Sequence, residues 1–354
     1  MRDPSIEIIA AGRIDEGDSA FPRAVALPDG TLLCSYSAAG GAAATGGTGL
    51  SRSTDGGHTW TREADILPVR LDPPESNFLK LSRTADGRTL YAYGSASSDL
   101  DGLVFGMRPA RALLCASHDG GRTWSAPADV PMPTRMLEIS DAALVLRSGR
   151  LLAPAATIDE GRLGERVVAA ISDDGGRTWP RHATVLRDPN GRLGFLEQKL
   201  ADLGDGRLLA TAWTVEMDGL VDQPNTYAIS TDDGLTWTAP RSIGTWGQTI
   251  SATPLGGDRV LLLYNRRYGR QGVVGAIATI TDHDWPIHAE TLIHDAAAER
   301  ERVPGADAIE EMMTFAFGFP TAARLPDGDL LATWWASLDG GPTGISWARL
   351  RVTG

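Results

Sequence analysis

Ser117-His118-Asp119-Gly120-Gly121-Arg122-Thr123-Trp124 decides the fold, because the pattern Ser-x-Asp-x-Gly-x-Thr-Trp returns three more times. The other copies run Ser53 to Trp60, Ser172 to Trp179 and Ser230 to Trp237. Each residue type has a task in a tight hairpin turn. The aspartate accepts hydrogen bonds from turn N–H groups, and the glycine supplies the positive-φ position. The tryptophan opens the next strand and can bury its ring between neighbouring sheets. A fifth, eroded copy lies at Thr281 to Trp285, where Asp282 and Asp284 remain but the glycine is gone.

Before each copy stands a second phrase: an apolar run, a glycine turn and another apolar run. Ala24-Val25-Ala26-Leu27-Pro28-Asp29-Gly30-Thr31-Leu32-Leu33 is one instance. Five more centre on Gly87, Gly149, Gly206, Gly257 and Gly328. Six strand-turn-strand units at blade spacing predict an all-β, six-bladed propeller with four-stranded antiparallel blades. The blades are expected near 18–68, 75–131, 135–187, 194–244, 247–295 and 315–353 of a single domain. The last unit supplies only three strand-like runs. The alternating segment from Ile6 to Ile14 can add the fourth, closing the ring and hiding the sheet edges.

Composition agrees with a globular β-protein: 42% hydrophobic and 22% charged residues, with 41 glycines among 354 residues. A net charge of -12 argues against nucleic acid or an anionic membrane as partner. Nearly all positive charge is arginine, and Lys80 and Lys199 are the only lysines. Cys34 and Cys115 sit in apolar runs and read as buried free thiols. The six histidines are scattered, so neither a metal nor a cofactor is implied. With no apolar leader after Met1, a cytoplasmic location is expected.

The repeats resemble the Asp boxes of the sialidase (neuraminidase) superfamily, six-bladed propellers that mostly cleave glycosidic bonds. The resemblance implies that the boxes lie on outer turns and that Asp55, Asp119, Asp174 and Asp232 are structural. It also implies an active site at one mouth of the propeller, where the innermost strands begin. Counting back from each turn glycine places Phe21 and Arg23, Phe78 and Lys80, and Glu138 and Ser140 there. Blades 4 to 6 add Glu197 and Lys199, Thr249 and Ser251, and Phe319 and Thr321. Charges at strand starts that would otherwise be apolar are paired or functional. One alternative is that they pair with one another and plug the channel.

Sialidases hold a substrate carboxylate with three arginines, attack with a Tyr–Glu pair and use an Asp as acid/base. Glu197 matches the family glutamate in its distance from the Gly206 turn. Phe21-Pro22-Arg23 has a Pro-Arg order closer to exo-arabinanases. Arg266 and Arg267, with solvated loop charges as the alternative, lie where a carboxylate-holding arginine is expected. Two departures stand out. Phe319 takes the register of the nucleophilic Tyr, and the loop Ala38 to Gly49 carries only Ala, Gly and Thr where the Asp should be.

A carboxylate pair, Glu138 and Glu197 on adjacent blades, is the expected replacement, one acting as acid and the other as nucleophile or base. Asp141 and Glu216 stand in reserve, and Trp213, Trp246 and Tyr268 offer stacking faces. The reading is an exo-acting glycoside hydrolase of a terminal sugar, an acidic one among the candidates, with Arg23, Arg266, Arg267, Lys80 and Lys199 binding substrate. Two alternatives stay open. A uronate lyase would use Lys80 or Tyr268 as base, and a carbohydrate-binding propeller would turn nothing over.

Overall fold

A computed structural model of the chain describes residues 3–98, 109–158, 161–337 and 341–354. The expected ranges of blades 2, 3 and 6 therefore include stretches outside the described residues. Six antiparallel sheets follow one another along the chain. Blade 1 uses Ala20–Ala26, Leu32–Ala38, Gly47–Ser53 and Thr61–Arg62 from channel to rim. Blades 4 and 5 repeat that order from inner strands Leu193–Asp202 and Gln248–Gly256. Blade 2 carries a fifth short strand, Arg70–Leu71, beside its inner strand. In blade 3 the inner strand is broken into Leu137–Glu138 and Leu144–Val145, both paired to Leu151–Thr157. Blade 6 is completed by the N-terminal strand Ser5–Asp15, which pairs with Thr343–Thr353 and closes the ring as expected.

The core is divided among the blade interfaces. Six apolar clusters each join a blade to its neighbour, the last joining blades 6 and 1. Each of the four repeat tryptophans packs half-buried on the cluster between its own blade and the preceding one. Trp285, from the eroded copy, is buried at the same place between blades 4 and 5. Burial of the ring is what that copy has kept.

The turns that precede these rings share one set of bonds. In the first copy Ser53 Oγ donates to Asp55 Oδ1 at 2.8 Å and accepts the Gly57 N–H at 2.9 Å. Asp55 also accepts the Thr59 N–H and Thr59 hydroxyl, at 2.9 and 2.6 Å. Gly57 sits at φ 96, where a side chain would be strained. These bonds hold Asp55 and Asp119 well below the ordinary carboxylate range. Their carboxylates are fully engaged in shaping turns. Cys34 and Cys115 are buried and free, and burial pushes the Cys115 thiol up to about 11.

Candidate active site

The mouth is built by four identical irregularities. The inner strands of blades 1, 4, 5 and 6 each slip register, between Ala20/Arg23, Leu196/Lys199, Gln248/Ser251 and Gly318/Thr321. Each bulge holds one left-handed residue: Phe21, Glu197, Thr249 or Phe319, with φ between 44 and 57. Non-glycine residues adopt this conformation at a cost of about 1 kcal/mol each. Bulges re-aim side chains at the rims of closed β-structures, and these four residues all line one pocket at the mouth.

That pocket has a volume of about 190 Å³. Phe21, Phe319 and Trp335 form an aromatic floor, with Phe319 edge-on to Phe21 at 5.4 Å. Polar atoms come from Glu197, Gln248, Thr249 and Asn265. The buried Asn265 Oδ1 has no hydrogen-bond partner among the described residues. The remaining wall is a strap, residues 301–316, that crosses from blade 5 towards blades 3 and 4. Its short helix, Ala308–Met312, buries Ala308 against Leu196, Trp213 and Val215. The strap turns Met312, Met313 and Phe315 into the pocket.

Glu197 and Glu138 are brought together here. The bulge takes the Glu197 N–H out of its own ladder, and Glu138 Oε2 accepts it at 3.1 Å. The Glu197 carboxylate accepts the Thr249 hydroxyl. Burial and the Glu197 charge push Glu138 up to about 7. Burial also raises Glu197, opposed by Lys199, the Thr249 hydroxyl and Arg267. Two carboxyl groups so placed favour holding one proton between them near neutrality, with Glu138 as its carrier.

The cationic candidates lie elsewhere. Two residues past the mouth, a girdle of side chains donates to main-chain carbonyls of neighbouring blades. Lys80 Nζ reaches Ile139 O at 2.5 Å, Lys199 Nζ reaches Ser140 O at 2.7 Å, and Ser251 reaches Pro320 O at 2.9 Å. Lys80 is fully buried, with its ammonium 3.5 Å from the Phe78 ring centre, and Lys199 lies 4.0 Å from that of Phe319. Burial drives the Lys80 pKa well down. Both ammoniums therefore stack on phenyl rings, and neither lysine lines the pocket. Arg23 pairs with Asp141 at 3.4 Å and lines a separate channel cavity of about 230 Å³. Of the ring charges, Arg23 thus has a carboxylate partner, whereas Lys80 and Lys199 bond main-chain carbonyls.

Arg266 turns outward to Glu290 on the outer strand of its blade, at 2.8 Å, and is not brought to the mouth. Arg267 is completely buried behind Gln248 and Phe315. Its guanidinium donates to Glu311 Oε2 at 2.9 Å and Ala308 O at 3.0 Å, lies 3.5 Å from Asp222 and stacks over Trp213. Trp213 is itself buried, donating to Asp222, and Arg302 covers Trp246 at 3.8 Å. Tyr268 donates to Asp222 and Glu311. Asp141 accepts the Ala142 and Leu200 N–H groups as a structural tie. Glu216 ends its strand outside the pocket lining. Sequence reading missed Asp222, Gln248, Asn265 and Glu311. The one available signal was the stretch left between the expected blades 5 and 6, which contains Met312-Met313.

Comparison with known proteins accords with this architecture. A family model described as a BNR repeat-like domain matches residues 30–277. A sialidase of Micromonospora viridifaciens is 31% identical over 237 residues, covering 60% of this chain and 35% of that protein. The chain spans about a third of the length of the curated relatives it matches. A Dyadobacter fermentans protein of unknown function superposes with TM-score 0.75 at 22% identity, over 98% of this chain and 99% of that one. A Penicillium chrysogenum α-L-arabinanase complexed with arabinobiose gives 0.66 at 17%, over 98% of both chains. At these identities the structural likeness is one of fold. The chain belongs to the BNR repeat-like domain family, as a six-bladed propeller of the sialidase superfamily.

Proposed function

We propose that the protein is a glycoside hydrolase acting on a terminal sugar, with Glu138 and Glu197 as its carboxyl pair. The observation that carries this reading is the 3.1 Å bond from the Glu197 main-chain amide to the Glu138 carboxylate, which sets Glu138 beside the pocket that Glu197 lines. Glu138, protonated up to about pH 7, gives its proton to the departing glycosidic oxygen. Glu197, steadied as the anion by Thr249, serves the anomeric carbon as nucleophile or by activating water. Phe21, Phe319 and Trp335 offer apolar faces to a sugar ring, and Asn265 Oδ1 accepts one of its hydroxyls.

The sialidase route is not the one proposed. Phe319 lacks a nucleophilic hydroxyl, and the 38–49 loop has no titratable group. The lyase alternative loses both of its bases: Lys80 stacks on a phenyl ring and does not line the pocket, and the Tyr268 hydroxyl is engaged by two carboxylates. Sugar binding without turnover is the second reading, favoured by those same missing sialidase groups.

Reducing-sugar release from a glycoside panel tests the choice. Glu138→Gln and Glu197→Gln should each lower kcat at least about a hundredfold. Full activity in both variants would remove the pair from the mechanism, and tight binding by an inert wild-type protein would select the second reading.

A further inference from the structure

We infer that the mouth pocket takes an uncharged sugar unit, and that Glu311 on the strap is the residue that turns acidic sugars away. The inference rests on the reading of the pocket as a sugar site and deepens it. A carboxylate on a substrate needs an arginine with free donors. Arg267 stands completely buried behind the pocket-lining Gln248; its terminal nitrogens are bonded within the chain, and its Nε, without a hydrogen bond among the described residues, lies 3.5 Å from the Asp222 carboxylate. Nη2 is shared by Glu311 and the Ala308 carbonyl, and Nη1 faces Gln248. Glu311 thus occupies from within the chain the position that a ligand carboxylate would need.

Charge points the same way. Arg267 and Arg300 are the cations paired with Glu311, Arg300 lying 3.7 Å from it and over Phe315. Against them stand Asp222 and Glu311, with Glu197 in the pocket itself. Among the described residues that line the pocket, Glu197 is the one charged side chain, and it is an acid, in a wall where water screens little. Lys199 offsets part of the Glu197 charge, but neither lysine lines the pocket and each donates to a main-chain carbonyl, so neither presents a donor to a ligand carboxylate. What the pocket offers is apolar surface from Met312, Met313, Phe315 and Phe319, plus neutral polar groups on Gln248, Thr249 and Asn265. These fit hydroxyls and C–H faces.

The strap is well anchored for such a role. Ala308 N–H donates to Leu220 O at 2.9 Å, Asp307 bridges to Val221, and Asp307 caps the helix through the Ile309 and Glu310 N–H groups. Glu311 is therefore held on Arg267 by the fold, and a ligand carboxylate would have to displace a tethered one.

Matched pairs of 4-nitrophenyl glycosides that differ only in CH2OH against COO⁻ (glucose and glucuronate, galactose and galacturonate, both anomers) test this by calorimetric binding to the wild-type protein. N-acetylneuraminate and an arabinoside complete the panel. At least one neutral sugar should bind at least tenfold more tightly than its acidic partner. Glu311→Gln keeps an acceptor for Arg267 but removes the charge, and should narrow that ratio about tenfold. Acidic sugars bound as tightly as neutral ones by the wild type, no sugar bound at all, or an unchanged ratio in a folded Glu311→Gln protein would each overturn the inference. If Glu311→Gln does not fold, the wild-type pairs still decide. Neutral sugars bound but never cleaved would sink only the hydrolase reading, whereas cleavage of acidic glycosides alone would sink only this one.

Discussion

Replacing Glu138 with Gln isolates the energetic consequence of pairing two buried carboxyl groups. The amide keeps a carbonyl oxygen for the Glu197 N–H, so the bond at 3.1 Å can persist while the titrating proton disappears. In the folded protein Glu138 titrates at about 7 rather than 4.5, through burial and the charge of Glu197. Between those two values the folded chain holds a proton that the unfolded chain has released. Stability therefore falls as pH rises through that window. At about 1.4 kcal/mol per pH unit, and allowing for solvent at the exposed edge of the side chain, the loss comes to about 2–3 kcal/mol. For a chain of 354 residues this corresponds to about 3–4 °C in melting midpoint. Differential scanning calorimetry of both proteins from pH 4 to 8 reads it. The difference in melting midpoint, variant minus wild type, should grow by about 3–4 °C from pH 4 to pH 8. A constant difference, or one that moves against the variant as pH rises, would refute the placement of a shared proton on this pair.

Other substitutions separate site from scaffold. Ser117→Ala removes the acceptor of the Gly121 N–H and the donor to Asp119, and should cost about 1–2 kcal/mol in urea unfolding while glycosidase kinetics stay unchanged. Lys80→Met replaces a buried ammonium beneath the Phe78 ring with an apolar chain of similar length. Stability at pH 7 should stay level or rise by about 1–3 kcal/mol, with KM for the best substrate within about twofold. Phe319→Tyr restores the nucleophile register of a sialidase, yet release of 4-methylumbelliferone from a sialoside should stay at background, because the 38–49 loop supplies no acid. Arg266→Ala should leave kcat/KM unchanged and cost at most about 1 kcal/mol, the worth of its surface pair with Glu290.

Some of this protein was fixed by its sequence alone. The number of blades, the role of Asp55 and its three equivalents, and ring closure by Ser5–Asp15 all follow from turn chemistry and strand alternation. The turn bonds act over four residues or fewer, as from Thr59 to Asp55, so a linear pattern records them fully, and ring closure, though remote, follows from a last blade one strand short. The positions of Phe21, Glu197, Thr249 and Phe319 at one mouth follow from the repeat as well, because equivalent positions of a repeat stack around the axis.

What only the tertiary structure decided is which charge meets which. Glu138 reaches an amide 59 residues away, and Arg267 reaches a carboxylate 44 residues away on a strap with no repeat pattern of its own. Lys80 and Glu197 look alike in the sequence, as charged residues at strand openings. Two residues of depth along the channel place one against a phenyl ring and the other in the pocket lining. Burial and Coulombic contact depend on distance through space, which the spacing of residues along a chain does not encode.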